Sequence, residues 1–129
     1  MASDRSEKVA ATLKKTVSEI IQNELKDPRI GFITVTEVKV SKDLRHVKIF
    51  FTALGTEKEK KSAQIGLRQA TGFVRRLIAD RVNFRFVPTI VFVYDETYEY
   101  GMHINELLDR IKKEEEKRNE QNRQDNQGT

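Results

Sequence analysis

The basic residues of this sequence are the ones whose number and spacing suggest a chemical role, the binding of an anionic partner. Residues 39–85 contain twelve Lys or Arg and four Asp or Glu, a net charge of +8, whereas residues 101–129 have a net charge of −1. Clustered positive charge attracts polyanions, and Lys and Arg bind the phosphates of nucleic acids. The sequence therefore predicts an RNA partner. The residues that we expect to contact it are Lys39, Lys42, Arg45, Lys48, Lys61, Arg68, Arg75, Arg76, Arg81 and Arg85.

Three of these residues, Lys61, Arg68 and Arg75, are seven positions apart, which corresponds to about two turns of helix. The spacing predicts that they form a stripe opposite the apolar side of the helix, with Arg76 beside it, pointing into water. A merely solvated helix face is the alternative, because most charged stripes are only that. A single acidic residue occurs between positions 62 and 87, and this scarcity of balancing acids favours RNA binding.

Metal-dependent catalysis has one candidate cluster, formed by Asp95, Glu96, Glu99 and His103. Such groups could bind a hard metal ion in an RNA-processing nuclease. Their spacing matches no specific metal motif, and acids at the start of a helix also interact favourably with its dipole. The chain has no cysteine and no phosphate-binding glycine loop. We therefore expect no catalytic residue, metal or cofactor. The nuclease stays open as an alternative, as does a protein–protein adaptor that binds an acidic partner.

The elements that must position the basic residues follow from hydrophobic periodicity. An amphipathic helix over residues 6–25 is predicted to end before Asp27-Pro28. Strands are predicted over 32–40 and 46–53, paired as an antiparallel hairpin, and over 89–94. A short final helix is predicted from Tyr98 to about Arg110.

A second helical region follows Gly55 and contains Gly72 within its apolar pattern. Glycine inside a helix costs about 1 kcal/mol relative to alanine. The pattern therefore predicts a kink at Ala70-Thr71-Gly72 that divides the region into two helices. The predicted order is helix, strand, strand, helix, kink, helix, strand, which favours a two-layer α+β domain with helices on one face of the sheet. The order of the strands within the sheet stays open.

One domain and a tail account for the 129 residues. Residues 1–111 are predicted to form the RNA-binding domain. Residues 112–129 contain no apolar side chain, so they are predicted to be a disordered polar tail with nothing to bury against the entropy of ordering. No segment approaches the roughly 20 apolar residues of a membrane span, and the N-terminus lacks the apolar core of a secretory signal. A cytoplasmic protein without a membrane partner is expected.

Four segments of the chain resemble the ribosome-binding factor A family, and together they cover almost everything up to the tail. Strand, kink and Arg-Arg segments occur in the family's order and spacing. The segments are DPRIGFITVTEVKVSKDLRHVKIFFTALG (27–55), ATG (70–72), FVRRLIADRVNFRFVPTIVFVYDET (73–97) and YGMHINELLDRI (100–111).

The resemblance implies a type II KH-like fold in which an Ala-x-Gly kink replaces the GXXG loop. Ordinary KH domains clamp RNA with that loop, and no Gly-x-x-Gly occurs in this chain. The resemblance also implies a non-enzymatic factor that binds the small (30S) ribosomal subunit and its rRNA. Such factors assist late maturation and processing of the 16S rRNA precursor, support growth in the cold and cooperate with assembly GTPases that promote their release. We expect a monomer.

Overall fold

The computed structural model describes the backbone of residues 2–127 and the side chains of residues 5–124. The chain divides into two compact units, one that ends at Asp95 and one that begins at Glu96. The elements of the first unit are α1 (Ala2–Asn23), β1 (Ile33–Val40), β2 (His46–Ala53), α2 (Glu57–Arg81) and β3 (Thr89–Tyr94); the second unit contains α3 (Glu96–Gln127). The predicted α+β class, with three strands and three helices, is confirmed.

The three strands form one sheet in the order β1-β2-β3. β1 and β2 pair antiparallel, as predicted for the hairpin, with Lys39 opposite Lys48 and Val35 opposite Phe51. β3 pairs parallel with β2. Because parallel neighbours need a crossover connection, the chain must return to the starting end of β2 before β3 begins. α2 makes this crossover and leaves β3 at an edge of the sheet.

The core lies between one face of the sheet and the two helices α1 and α2, which contact β1 and β3 respectively. Alternate residues of a strand point to opposite faces, so Lys48 and Phe50 on β2 face away from this core. Burial of one large aliphatic side chain contributes roughly 1.5–3 kcal/mol. The side chains with almost no exposed surface are Leu13, Val17, Ile20, Val47, Ile49, Phe51, Leu67, Val74 and Ile78.

The connection between α1 and β1 packs closely against α2. The Asp27 carboxylate accepts hydrogen bonds from Arg29 Nη2 (2.6 Å) and from the Arg29 backbone N–H (2.9 Å), and these bonds lower the pKa of Asp27. Arg29 Nη2 also donates to Gln69 Oε1 of α2 at 2.7 Å. A Cβ at Gly66 of α2 would lie 3.1 Å from Ile30 Cγ1. Glycine at position 66 therefore permits this contact between the helix and the connection.

The first turn of α2 is fixed by a capping box. The Thr56 hydroxyl accepts a hydrogen bond from the Glu59 N–H at 3.2 Å, and the Glu59 carboxylate accepts one from the Thr56 N–H at 3.2 Å. Two backbone donors that have no partner inside the helix are thereby satisfied. The side chain of Thr56 thus determines where the crossover helix begins.

α2 is a single helix of 25 residues, so the predicted division at Ala70-Thr71-Gly72 is wrong. Gly72 is exposed, and a Cβ there would meet no atom within 4 Å. The Thr71 hydroxyl donates to the Leu67 carbonyl at 3.0 Å, a bond that often bends a helix without interrupting it. Buried Leu67 and Val74 flank this stretch. Their burial outweighs the roughly 1 kcal/mol by which glycine disfavours the helix.

α3 continues to Gln127, whereas the sequence predicts a helix that ends near Arg110 and a disordered tail after it. The polar segment is rich in Lys, Glu, Arg and Gln, which all have high helix propensity. It also places acids and bases at helical spacing, such as Glu114 and Arg118. Absence of apolar residues therefore does not prevent helix formation here. The functional division of the chain after residue 111 stays a prediction.

Candidate nucleic-acid interface

At Arg68 and Arg75, the basic stripe of α2 lies on the flank of the helix beside β3, and not opposite its apolar side as predicted. Leu67 and Val74 are buried, and each directly precedes a stripe residue, Arg68 or Arg75. Successive helical residues are about 100° apart around the axis, so Arg68 and Arg75 lie next to the core and not across from it. Arg76 lies about 100° farther round and is exposed.

Arg75 holds the loop between α2 and β3. Its Nε donates to the Pro88 carbonyl at 2.9 Å, and its Nη2 donates to the Val87 carbonyl at 3.0 Å. Pro88 is buried and has no backbone N–H of its own. The guanidinium therefore stabilises the entry into β3, and fewer of its donors are left for a ligand.

Arg81 also has a partner within the fold. Its Nη2 lies 2.9 Å from Glu24 Oε1, and the two side chains are 36% and 41% exposed. An exposed ion pair of this kind contributes at most about 1 kcal/mol. The pair links the end of α2 to the residue after α1 and neutralises a cation that the sequence assigns to RNA.

Three other α2 cations that the sequence assigns to RNA, namely Lys61, Arg68 and Arg76, are exposed, and their side chains make no hydrogen bond or ion pair within residues 5–124. Arg68 lines a cavity of about 290 Å³ between α2 and the edge strand, where Thr71 and Phe92 are also among the lining residues. Uncompensated cations on a rigid helix can bind phosphates without first breaking an internal contact. We therefore regard these three residues, the open α2 cations, as the best-placed phosphate ligands.

A second group of cations lies on the face of the sheet that points away from the helices. Lys39 and Lys48 are cross-strand partners, and Lys39 Nζ lies 5.4 Å from the centroid of the Phe50 ring. Like charges directly opposite each other repel, so a bound anion between them would relieve this repulsion. Lys42 is exposed in the turn that joins the two strands.

The remaining predicted residues, Arg45 and Arg85, surround an aromatic ring that the sequence prediction missed. Their Cζ atoms lie 5.2 Å and 5.8 Å from the centroid of Phe86, whose side chain is 60% exposed. Phe86, Arg45 and Arg85 line a second cavity, and Arg5 of α1 lines it as well. The alternation of aromatic and basic residues in NFRF (83–86) could have indicated Phe86, but nothing local indicates Arg5, which reaches the cavity through the fold.

The candidate metal cluster is not assembled. Asp95 accepts a hydrogen bond from the Thr36 hydroxyl at 2.6 Å, and His103 Nδ1 lies 4.0 Å from Glu106 Oε2. Over the described residues, no group of three or more His, Cys, Asp or Glu side chains could hold a metal ion. Likewise, none of the helices in the described part of the chain is both long and apolar enough to cross a membrane.

The fold defines a small α+β protein with exposed cations on its long helix α2 and on the outer face of its sheet. The family model of ribosome-binding factor A matches residues 5–108. A ribosome-binding factor A from Halothermothrix orenii is 51% identical over 116 residues, which cover 90% of this chain and 95% of the relative. The chain belongs to the ribosome-binding factor A family.

Solved structures agree with this assignment. The crystal structure of ribosome-binding factor A from Thermus thermophilus matches with a TM-score of 0.62 and 30% identity, covering 69% of this chain and 94% of that one. A homology model of the Thermus thermophilus factor was fitted into a cryo-EM map of its complex with the 30S subunit. That model matches with a TM-score of 0.56 and 32% identity, covering 65% of this chain and 88% of that one.

Proposed function

We propose that this protein binds the small (30S) ribosomal subunit and assists late maturation and processing of its 16S rRNA precursor, with a role in growth in the cold. Membership of the ribosome-binding factor A family supports this proposal, as does the Thermus thermophilus relative that was fitted into a map of its 30S complex. The protein acts without catalysis or cofactor, by holding an immature rRNA conformation. Ribosome assembly implies the cytoplasm.

The open α2 cations are the observation that carries this proposal for the chain itself. Lys61, Arg68 and Arg76 are exposed on one well-packed helix and have no internal partner within residues 5–124. Phosphate contacts supply much of the affinity of proteins for structured nucleic acids and orient them. A rigid helix would present these charges at fixed spacing to folded rRNA, with little loss of conformational entropy on binding.

The type II KH-like assignment belongs to the same proposal. Helices on one face of a three-stranded sheet, with a parallel edge strand after a crossover helix, support it. The chain lacks the GXXG loop, so side-chain cations take over the phosphate binding that the loop performs elsewhere. Action as a monomer and release promoted by assembly GTPases complete the proposal, and both rest on the family resemblance.

The test is a salt series of binding to purified small subunits. Replacing Lys61, Arg68 and Arg76 together with glutamine removes three charges and keeps long polar side chains that suit a helix. If each residue neutralises one phosphate, the plot of log affinity against log salt becomes less steep by about two to three units. The melting temperature stays nearly constant, because exposed charges contribute little to stability.

A matched control removes three charges from α3 by replacing Lys112, Lys113 and Lys117 with glutamine. These residues are exposed in a helix with a similar proportion of charged residues. We expect the control to bind nearly as well as the wild type. Equal losses in both triple variants would mean that net charge and not the α2 surface drives binding. Binding to an acidic protein instead of the subunit would favour the adaptor, and metal-dependent cleavage of rRNA would favour the nuclease.

A further inference from the structure

The loop that joins α2 to β3 meets the β1–β2 turn and the start of α1 around a cavity of about 330 Å³. Three arginines from these three segments line it: Arg5 on α1, Arg45 at the turn and Arg85 in the loop. Phe86 lines it as well, with most of its ring exposed. The cavity is at the small end of the range for ligand pockets, about 300–1,000 Å³. Its lining combines positive charge with a flat apolar surface.

The arginines are placed against the ring before any ligand arrives. The Cζ atoms of Arg45 and Arg85 lie 5.2 Å and 5.8 Å from the ring centroid of Phe86. Guanidinium groups are attracted to aromatic faces at such distances. Their planar faces can stack on further rings, while their N–H groups remain available to phosphates.

Hydrogen bonds fix the backbone on both sides of Phe86 and its arginines. The Asp43 carboxylate accepts a hydrogen bond from the Ser41 hydroxyl at 2.6 Å and from the Arg45 N–H at 3.1 Å, and these bonds lower the pKa of Asp43. The Arg45 carbonyl accepts a hydrogen bond from the Thr89 N–H at 2.8 Å. On the other side, Arg75 holds the carbonyl of Val87, directly after Phe86. Little ordering entropy is therefore lost when a ligand binds.

We propose that Phe86, together with Arg5, Arg45 and Arg85, binds an unpaired nucleotide of RNA. The base stacks on the Phe86 ring or on a guanidinium beside it, and the neighbouring phosphates accept hydrogen bonds from the arginines. The inference rests on the proposed binding of rRNA and specifies what this end of the domain recognises. A duplex hides its base faces, whereas unstacked bases in loops and ends can lie on aromatic side chains. An acidic peptide would satisfy the arginines but would leave the exposed ring without a flat partner.

The direct test is titration of the protein with an oligoadenylate of about six nucleotides, a length within the range of single-strand sites. Ring currents of a stacked adenine shift the Phe86 ring protons in NMR spectra, and those of Phe32, which is 80% exposed elsewhere, stay constant. Phe86→Leu keeps an apolar side chain and removes the aromatic face. Base stacking on an aromatic residue is worth about 1–3 kcal/mol, so this variant should bind about 5- to 150-fold more weakly.

Matched variants separate stacking from folding and from general charge. Phe86→Trp should retain or strengthen binding, and Phe32→Leu should leave it unchanged. Arg45→Gln and Arg85→Gln should each weaken binding and reduce its salt dependence by about 0.7 units of slope, the value for one phosphate of a single strand. Melting curves of all variants are recorded. If Phe86→Leu is unstable, Phe86→Trp still tests whether an aromatic ring at this position binds the nucleotide.

Phe86 resonances that do not move with oligoadenylate would overturn the inference. So would a fully paired RNA duplex or polyglutamate that competes better than the single strand. Measuring the same variants on small subunits separates this inference from the proposed function. Subunit binding that depends on the open α2 cations but not on Phe86 would refute the nucleotide site and leave the proposed function standing. If the wild-type protein binds oligoadenylate through Phe86 but does not bind the subunit, the nucleotide site stands and the proposed function is refuted.

Discussion

α2 (Glu57–Arg81) and α3 (Glu96–Gln127) are the two longest helices in the structure, and both are rich in charged residues. α2 buries Ala63, Gly66, Leu67, Val74 and Ile78, whereas every side chain described from Met102 to the end of α3 is exposed. Tertiary packing therefore fixes which way each charge on α2 points. On α3 the helix is supported by propensity and by pairs of charges along its own length.

The comparison teaches that charge on a helix has a defined role only where packing orients it. Of the four arginines on α2, Arg75 and Arg81 bind groups of the same fold, while Arg68 and Arg76 do not. The sequence treats these residues alike. The predictions below test the contrast between the two helices and then the contrast within α2.

The largest expected difference concerns apolar residues. Leu67→Ala removes a fully buried side chain of α2 and should lower the free energy of unfolding by about 2–5 kcal/mol. Leu107→Ala truncates a residue of α3 that is 52% exposed. This substitution should change the free energy of unfolding by no more than about 0.5 kcal/mol. Urea denaturation measures both. Similar losses would show that Leu107 is buried in solution, and the contrast between the helices would fail.

Two glycines of α2 make the next comparison. Gly66→Val places methyl groups against Ile30, already 3.1 Å from an ideal Cβ, and should cost about 1–3 kcal/mol through overpacking. Gly72→Val fills open solvent in a continuous helix and should be close to neutral, because valine has a slightly better helix propensity than glycine. A strongly destabilised Gly72→Val variant, together with a Gly66→Val variant of normal stability, would indicate a structural kink at residue 72.

The third comparison separates an anchored arginine from an open one. Arg75→Gln loses two charge-assisted hydrogen bonds to the loop before β3 and should lower stability by about 1–2 kcal/mol. Arg76→Gln, at the next position, should stay within about 0.5 kcal/mol of the wild type. On small subunits, Arg76→Gln should reduce the salt dependence of binding. An unchanged melting curve for Arg75→Gln would show that Arg75 does not stabilise the loop before β3.

The smallest effect on stability is expected from truncation of α3. Removing residues 113–129 should leave the melting temperature nearly unchanged, because the segment has no apolar side chain to bury. Far-UV circular dichroism should nevertheless lose helical signal in proportion to the helical residues removed. If the helical signal does not fall, this segment is disordered in solution. A large fall in melting temperature would mean that the segment packs against the rest of the protein.

Much of the fold could be predicted because its signals are local. The boundaries of 46–53 and 89–94 agree with β2 and β3, since β-branched and aromatic runs between turn residues indicate strands wherever they occur. Helix α1 and the end before Asp27-Pro28 followed from periodicity and proline geometry. The single helix α2 did not follow, because the cost of Gly72 is visible in the sequence and the compensating burial of its neighbours is not.

Of the candidate interface, the sequence by itself determined the sign of the charge, its concentration in residues 39–85, and the family to which the chain is similar. Side-chain type is enough for that, because Lys and Arg are cations in any fold. Only the tertiary structure decided which cations are available: it joined Arg75 to Val87 and Arg81 to Glu24, and brought Arg5 to Phe86 from the far end of the domain sequence. Contacts between residues distant in sequence depend on how α2 crosses the sheet, and no local pattern encodes that geometry.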